Sequence, residues 1–190
     1  AKLRRLPSPF RVAWGTAVIF ERMSRGFVRE DDQEEPIFIP PRATLPQGME
    51  NHVTPHGLQL LRKEREELEA ARNGVQGSDE VARRRELAEI NGKLDLLNAR
   101  IASAHLVPAS DKPLKTVRFG ATVTFRIVNG PQEGTERTFT LVGVDEASVA
   151  DGKIAFIAPI AQALLGKRVG GVAKFRLGPA VQELKVLAIA

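Results

Sequence analysis

Between Pro55 and Pro108 the chain contains no proline, and the stretch is rich in Leu, Ala, Glu and Arg. These side chains lose little rotamer freedom in a helix, so most of the stretch is expected to be helical. Thr54 followed by Pro55 supplies an N-cap and a first-turn proline, while Asn73-Gly74 and Gly77-Ser78 break the helix in the middle. Ser78 is expected to cap a second helix, with Asp79 and Glu80 placing negative charge at its positive end. Leu87, Ile90, Leu94, Leu97, Ile101 and Ala104 then recur at alternating spacings of three and four, which is an a/d seam. The first helix answers with Leu58, Leu61 and Leu68, with Arg65 interrupting the same register. A short turn leaves the two helices antiparallel neighbours, so the pattern predicts a coiled-coil hairpin over residues 54–106. A first helix of about 18 residues gives it a reach of roughly 27 Å. The alternative packing is half of a dimeric four-helix bundle; a monomer is the simpler expectation.

The flanks read differently. Residues 1–22 hold five basic residues and one acidic, residues 23–53 three and six, residues 54–106 nine and nine, and residues 107–190 eleven and seven. The sequence pI of 9.9 therefore reflects a leader and one terminal domain, and a general nucleic-acid binder rests on net charge alone. In the leader, Lys2, Arg4 and Arg5 precede an apolar run from Val12 to Phe20, too short to span a bilayer, that ends in Glu21 and Arg22 where a small-x-small cleavage site belongs. Met23 looks like a natural start, which makes residues 1–22 an upstream extension with no membrane role. Residues 23–53 combine Glu30, Asp31, Asp32, Glu34 and Glu35 with Pro36, Pro40, Pro41 and Pro46. That composition buries too little apolar surface to offset chain entropy, and it predicts a flexible tail whose carboxylates are solvated. The absence of cysteine excludes disulfides, thiolate metal sites and a cysteine nucleophile, and it fits a reducing, cytoplasmic compartment.

After a linker over residues 107–115 the hydrophobic period drops to two. Val117, Phe119, Ala121, Val123 and Phe125 alternate with Arg118, Thr122, Thr124 and Arg126, predicting a half-buried strand. Asn129-Gly130-Pro131 and Gly134 form a turn into a strand from Thr138 to Val144, and Asp151-Gly152 precedes another from Ile154 to Ile157. Pro159 starts a short helix that Gly166 ends, and strands follow over Val172 to Leu177 and Gln182 to Ile189. The class is α+β: a helical hairpin followed by an antiparallel sheet carrying one short helix. No residue set specifies a reaction. His52 and His56 are separated by the helix start at Pro55, so no shared metal and no cofactor is expected. Gly166-Lys167 lacks the first glycine and the Ser or Thr of a phosphate loop. Lys167, Arg168, Lys174 and Arg176 form a candidate basic patch without interleaved aromatics.

Three blocks carry a resemblance: Thr116-Val-Arg-Phe-Gly-Ala-Thr-Val-Thr, Leu141-Val-Gly-Val-Asp-Glu-Ala147, and Pro159-Ile-Ala-Gln-Ala-Leu-Leu-Gly-Lys167 with Val169-Gly170. In this order they closely resemble the C-terminal domain of the GreA/GreB transcript-cleavage factors, and Thr54-Pro-His-Gly-Leu resembles the start of the family's first helix, so the likeness covers residues 54–190. Met23-Ser-Arg-Gly-Phe-Val-Arg-Glu-Asp-Asp32 is similar to the start of a branch with a shortened arm. The resemblance implies an FKBP-like domain over residues 116–190 that docks at the rim of the RNA polymerase secondary channel, and a coiled coil that enters it. It implies two acids at the arm tip that help hold magnesium in the polymerase's own active site. Here Asn73 and Gln76 stand at those positions, with Asp79 and Glu80 nearby, and the family's Asp-Ser-Pro docking motif becomes Ile157-Ala158-Pro159. The expected function is a non-enzymatic polymerase-binding regulator of transcription elongation without strong cleavage stimulation. The alternatives are a true cleavage factor using Asp79 and Glu80, a regulator of nucleoside diphosphate kinase resembling Rnk, and a prolyl isomerase. The last is disfavoured because residues 107–190 offer only Phe119, Phe125, Phe139, Phe156 and Phe175 as aromatics.

Overall fold

The computed structural model describes residues 37–77, 79–110, 113–178 and 180–190. The readings on residues 1–22, on Met23, on the acids from Glu30 to Glu35 and on Ser78 lie outside these. No helix among the described residues is long and apolar enough to cross a membrane.

The hairpin forms from α1 (Pro55–Gly74) and α2 (Glu80–Ala102). Thr54 caps α1 by accepting from the Gly57 amide at 2.8 Å, with Pro55 in the first turn. The α2 cap is Asp79, whose carboxylate accepts from the Val81 and Ala82 amides at 3.0 and 3.3 Å. A helix of 20 residues spans about 30 Å, slightly more than expected, because α1 continues through Asn73 and Gly74. Leu61, Ile90, Leu94 and Leu97 of the predicted seam are buried, while Leu58, Leu68, Leu87 and Ile101 are half-buried. Ala104 still packs on the Leu61 and Leu97 cluster, but from beyond the helix: α2 stops at Ala102, and Ala104–Leu106 forms β2 alongside β1 (Asn51–Val53). The two pair in parallel, Asn51 opposite Ala104 and Val53 opposite Leu106.

This corrects the expected flexible tail at its C-terminal end. Proline-rich composition argues against strands, but residues 37–53 meet a prepared surface. Ile39 presses so closely on Gly92 of α2 that no Cβ fits there, Asn51 is buried and donates to the Arg100 carbonyl at 2.9 Å, and β1 completes the root. Burial against the arm and local pairing offset the entropy that composition alone leaves uncompensated.

The terminal domain is a five-stranded sheet in the order β5-β4-β3-β7-β6, from β3 (Thr122–Ile127), β4 (Glu136–Val142), β5 (Lys153–Ala155), β6 (Val172–Leu177) and β7 (Ala180–Ile189). It is mixed, which corrects the purely antiparallel expectation: β5 runs parallel to β4, with Leu141 opposite Ile154. The register of β3 on β7 shifts between Thr124 and Phe125, a bulge that adds curvature. The first predicted strand is shortened. Gly120 takes φ +82° and the Ala121 amide bonds back to the Arg118 carbonyl, so a turn precedes β3 while Val117 stays buried through hydrogen bonds at the end of the short helix. That helix, α3 (Pro159–Leu164), packs Ala161 and Leu164 onto a core containing Val123, Phe125, Leu184 and Val186.

Candidate functional site

The strand alternation places Phe125, Phe139, Phe175 and Leu184 on one face of the sheet, and α3 covers only part of it. What stays open is a cavity of about 390 Å³ floored by these residues and Ile154, with Ala158, Pro159 and Ile160 along one wall. Arg137, Arg176, Gln132 and Gln182 bring polar groups to it. Of the predicted docking triad, Ala158 and Pro159 therefore line the cavity and Ile157 does not. Ala158 occupies the N-cap position of α3 with no side-chain cap bond, and Pro159 follows as an exposed first helical residue. The predicted basic patch is redistributed: Arg176 reaches the cavity, Lys174 pairs with Glu183 at 2.7 Å, Arg168 is exposed, and Lys167 is half-buried with its carbonyl accepting from the Val117 amide.

Sequence reasoning counted the five phenylalanines without dividing them. Phe125, Phe139 and Phe175 belong to the cavity. Phe119 and Phe156 instead stack edge-to-face at 5.5 Å beside His52, at the root of the arm. The period-two pattern held the signal, since Arg137 and Phe139 share a strand face with their register partners Phe125 and Val123. Arg137 is the residue that reasoning missed.

At the arm tip Asn73 and Gln76 are exposed. Asp79 is committed to two α2 amides, and Glu80 accepts from Arg83 Nη2 at 2.5 Å. The tip thus offers two free amides and two acids already engaged by local partners. Among the described residues, no three His, Asp or Glu side chains gather as a metal site.

The root of the arm carries denser chemistry than its tip. Thr54, besides capping α1, donates to Glu146, whose other oxygen accepts from Lys153 Nζ at 3.0 Å. One residue earlier, Asp145 accepts from Arg42 Nε and Nη2 at 3.1 and 3.0 Å, and Arg100 Nε stands 3.3 Å from its second oxygen as an ion pair outside hydrogen-bond alignment. Arg42 also forks onto Glu64 at 2.7 and 3.0 Å, and this hydrogen bond chiefly, with Asp145 adding to it, raises the guanidinium pKa against the opposing effect of burial.

Residues 112–190 match the family model described as Transcription elongation factor, GreA/GreB, C-term. The chain is 31% identical over 155 residues to the transcription elongation factor GreB of Neisseria meningitidis serogroup A, a match covering 73% of this chain and 93% of that one. It is 33% identical over 133 residues to the transcription elongation factor GreA of Thermodesulfovibrio yellowstonii, covering 62% of this chain and 82% of the relative. Against GreA of Hyphomonas neptunium it is 36% identical over 100 residues, and the match spans 53% of this chain and 62% of the relative's length. The crystal structure of GreA factor homolog 1 from Thermus thermophilus aligns at 23% identity over 75% of this chain and 99% of that one, with a TM-score of 0.33, too weak an overlap to bear on fold or function. With a GreB matched over 93% of its length and the terminal domain matched by the family's own model, the chain belongs to the GreA/GreB family of transcription elongation factors.

Proposed function

We propose that this chain regulates transcription elongation by binding RNA polymerase at the secondary channel, docking through the cavity beside Pro159 and inserting the arm without strongly stimulating transcript cleavage. The observation that carries the reading is the chemistry of the tip. Magnesium favours charged oxygen ligands at about 2.0–2.1 Å. Asn73 and Gln76 are neutral, Asp79 caps α2, and Glu80 is paired with Arg83. Each acid spends one oxygen on these local partners, Asp79 Oδ1 on the cap and Glu80 Oε2 on Arg83, and the positive groups so paired offset part of the negative charge a cation would meet. Family membership supports the partner, and the apolar cavity with two arginines beside it supports a docking segment that pairs an apolar side chain with an acid.

The test is cleavage of a backtracked complex by the natural protein and by Asp79→Asn/Glu80→Gln. Asparagine caps a helix about as well as aspartate, so the variant keeps α2. Weak cleavage by the natural chain, unchanged in the variant, is the expected outcome; robust cleavage abolished by the double substitution overturns the reading in favour of a cleavage factor. Docking is tested separately with Ala158→Asp, which adds a carboxylate to the cavity wall and supplies the side-chain cap that α3 lacks. A loss of polymerase affinity of about tenfold, or about 1.4 kcal/mol, is expected. Unchanged affinity moves the interface elsewhere.

A further inference from the structure

We infer that Arg42 is a positioning residue that sets the direction of the arm relative to the docking cavity, with residues 37–45 acting as an intramolecular brace. The inference rests on the proposed reading for its purpose, but its geometry stands apart from any polymerase contact.

Arg42 joins two bodies that the sheet's own pairing leaves unconnected. One edge of its guanidinium forks onto Glu64 of α1 at 2.7 and 3.0 Å, and the other meets Asp145, in the turn after β4, at 3.0 and 3.1 Å. Both partners are carboxylates, and the planar five-donor fork is the one side chain that serves two of them in fixed geometry. Asp145 is only 10% exposed and is approached by Arg100 of α2 on its second oxygen, so a single carboxylate gathers ties to both helices. Arg100 also donates to the Ala43 carbonyl, holding the brace against α2 from the opposite side. Leverage makes these contacts matter at a distance. With an arm of about 30 Å, a rotation of roughly 10° at the root moves the tip by about 5 Å. A tip that must reach a fixed point in a partner is therefore governed by root contacts it never touches.

The test uses the free full chain, which has no cysteine of its own. Cysteines introduced at exposed Ala71 on α1 and at Val169, 58% exposed on the sheet domain, carry spin labels for a pulsed electron–electron distance measurement. The expected result is one narrow distribution for the parent, with width at least doubled in Arg42→Ala and in Asp145→Asn. Combining the two is expected to broaden it no further than the wider single variant, because both cut the same link. Arg42→Lys, a point charge that satisfies one carboxylate at a time, is expected to fall between. Helix content by circular dichroism reports folding, and Arg42→Gln, which keeps most of the stem, replaces Arg42→Ala if the helix signal drops. An unchanged width and centre in folded Arg42 variants overturns the inference while leaving polymerase docking untouched; failure of the parent chain to bind polymerase, with the distribution still broadened in the variants, overturns only the docking reading.

Discussion

The two ends of the arm use the same residue types for opposite ends. At the root, a threonine cap, two adjacent acids and two arginines are bonded across long sequence distances, as when Thr54 meets Glu146 and Arg42 meets Asp145. At the tip, an aspartate cap and a glutamate–arginine pair connect residues only two to three positions apart. Long-range bonds fix one body against another, whereas local ones only keep a helix wound. The difference separates positions where substitution disturbs the structure from those where it changes only what the protein presents to a partner.

The largest effect is expected from Leu97, fully buried where α2 meets α1 and β1. Leu97→Ala should lower unfolding free energy by about 2–5 kcal/mol in urea titration, while Val81→Ala near the tip should stay within about 0.5. A similar cost at both sites would erase the contrast.

Glycine substitution sharpens it through a change of sign. A Cβ on Gly57 would stand 2.8 Å from Glu146 Oε2, whereas one on Gly74 meets nothing within 4 Å. Gly57→Ala should destabilise by about 1–3 kcal/mol through overpacking. Gly74→Ala should be neutral or stabilise by up to about 1 kcal/mol, by restricting the unfolded chain. Thermal melts of the two variants, read as shifts of opposite direction, decide the matter.

The caps come next. Thr54→Ala removes the bond to the Gly57 amide and a donor to buried Glu146, so a cost of about 1–2 kcal/mol is expected. Asp79→Ala loses an exposed cap alone, and should cost closer to the lower end of about 0.5–2 kcal/mol. Equal costs in chemical denaturation would mean that the Glu146 contact adds nothing.

The smallest effect lies between the two ends, on α2. The hydrogen bond and charge of Lys93 hold the Glu89 carboxyl below its ordinary range. A lowered folded-state pKa contributes stability above the unfolded value of about 4.3 and loses it as pH falls through the folded one. Glu89→Gln should therefore lower the melting temperature slightly at neutral pH and leave it level with the parent once the pH is below both values. A difference that persists in acid would assign the effect to packing instead of charge.

Local chemistry alone determined much of this protein. The Thr54-Pro55 helix start, the seam through Ile90, Leu94 and Leu97, the short helix at Pro159 and the five strands of the terminal domain are all legible in spacing, because caps, prolines and hydrophobic period act within a few residues. Even the two neutral amides of the tip are readable, since Asn73 and Gln76 are exposed and need no partner to define them. Tertiary structure decided the rest. Residues 37–53 have the composition of a tail, yet Ile39, Arg42 and Asn51 find partners on α2, α1 and the sheet domain that lie far along the chain. Ile157 left the cavity while Arg137 and Arg176 entered it, and the phenylalanines divided between the cavity and the arm root, because strand order and register set which faces meet. A period says that a residue faces inward; only the assembled sheet says what it faces.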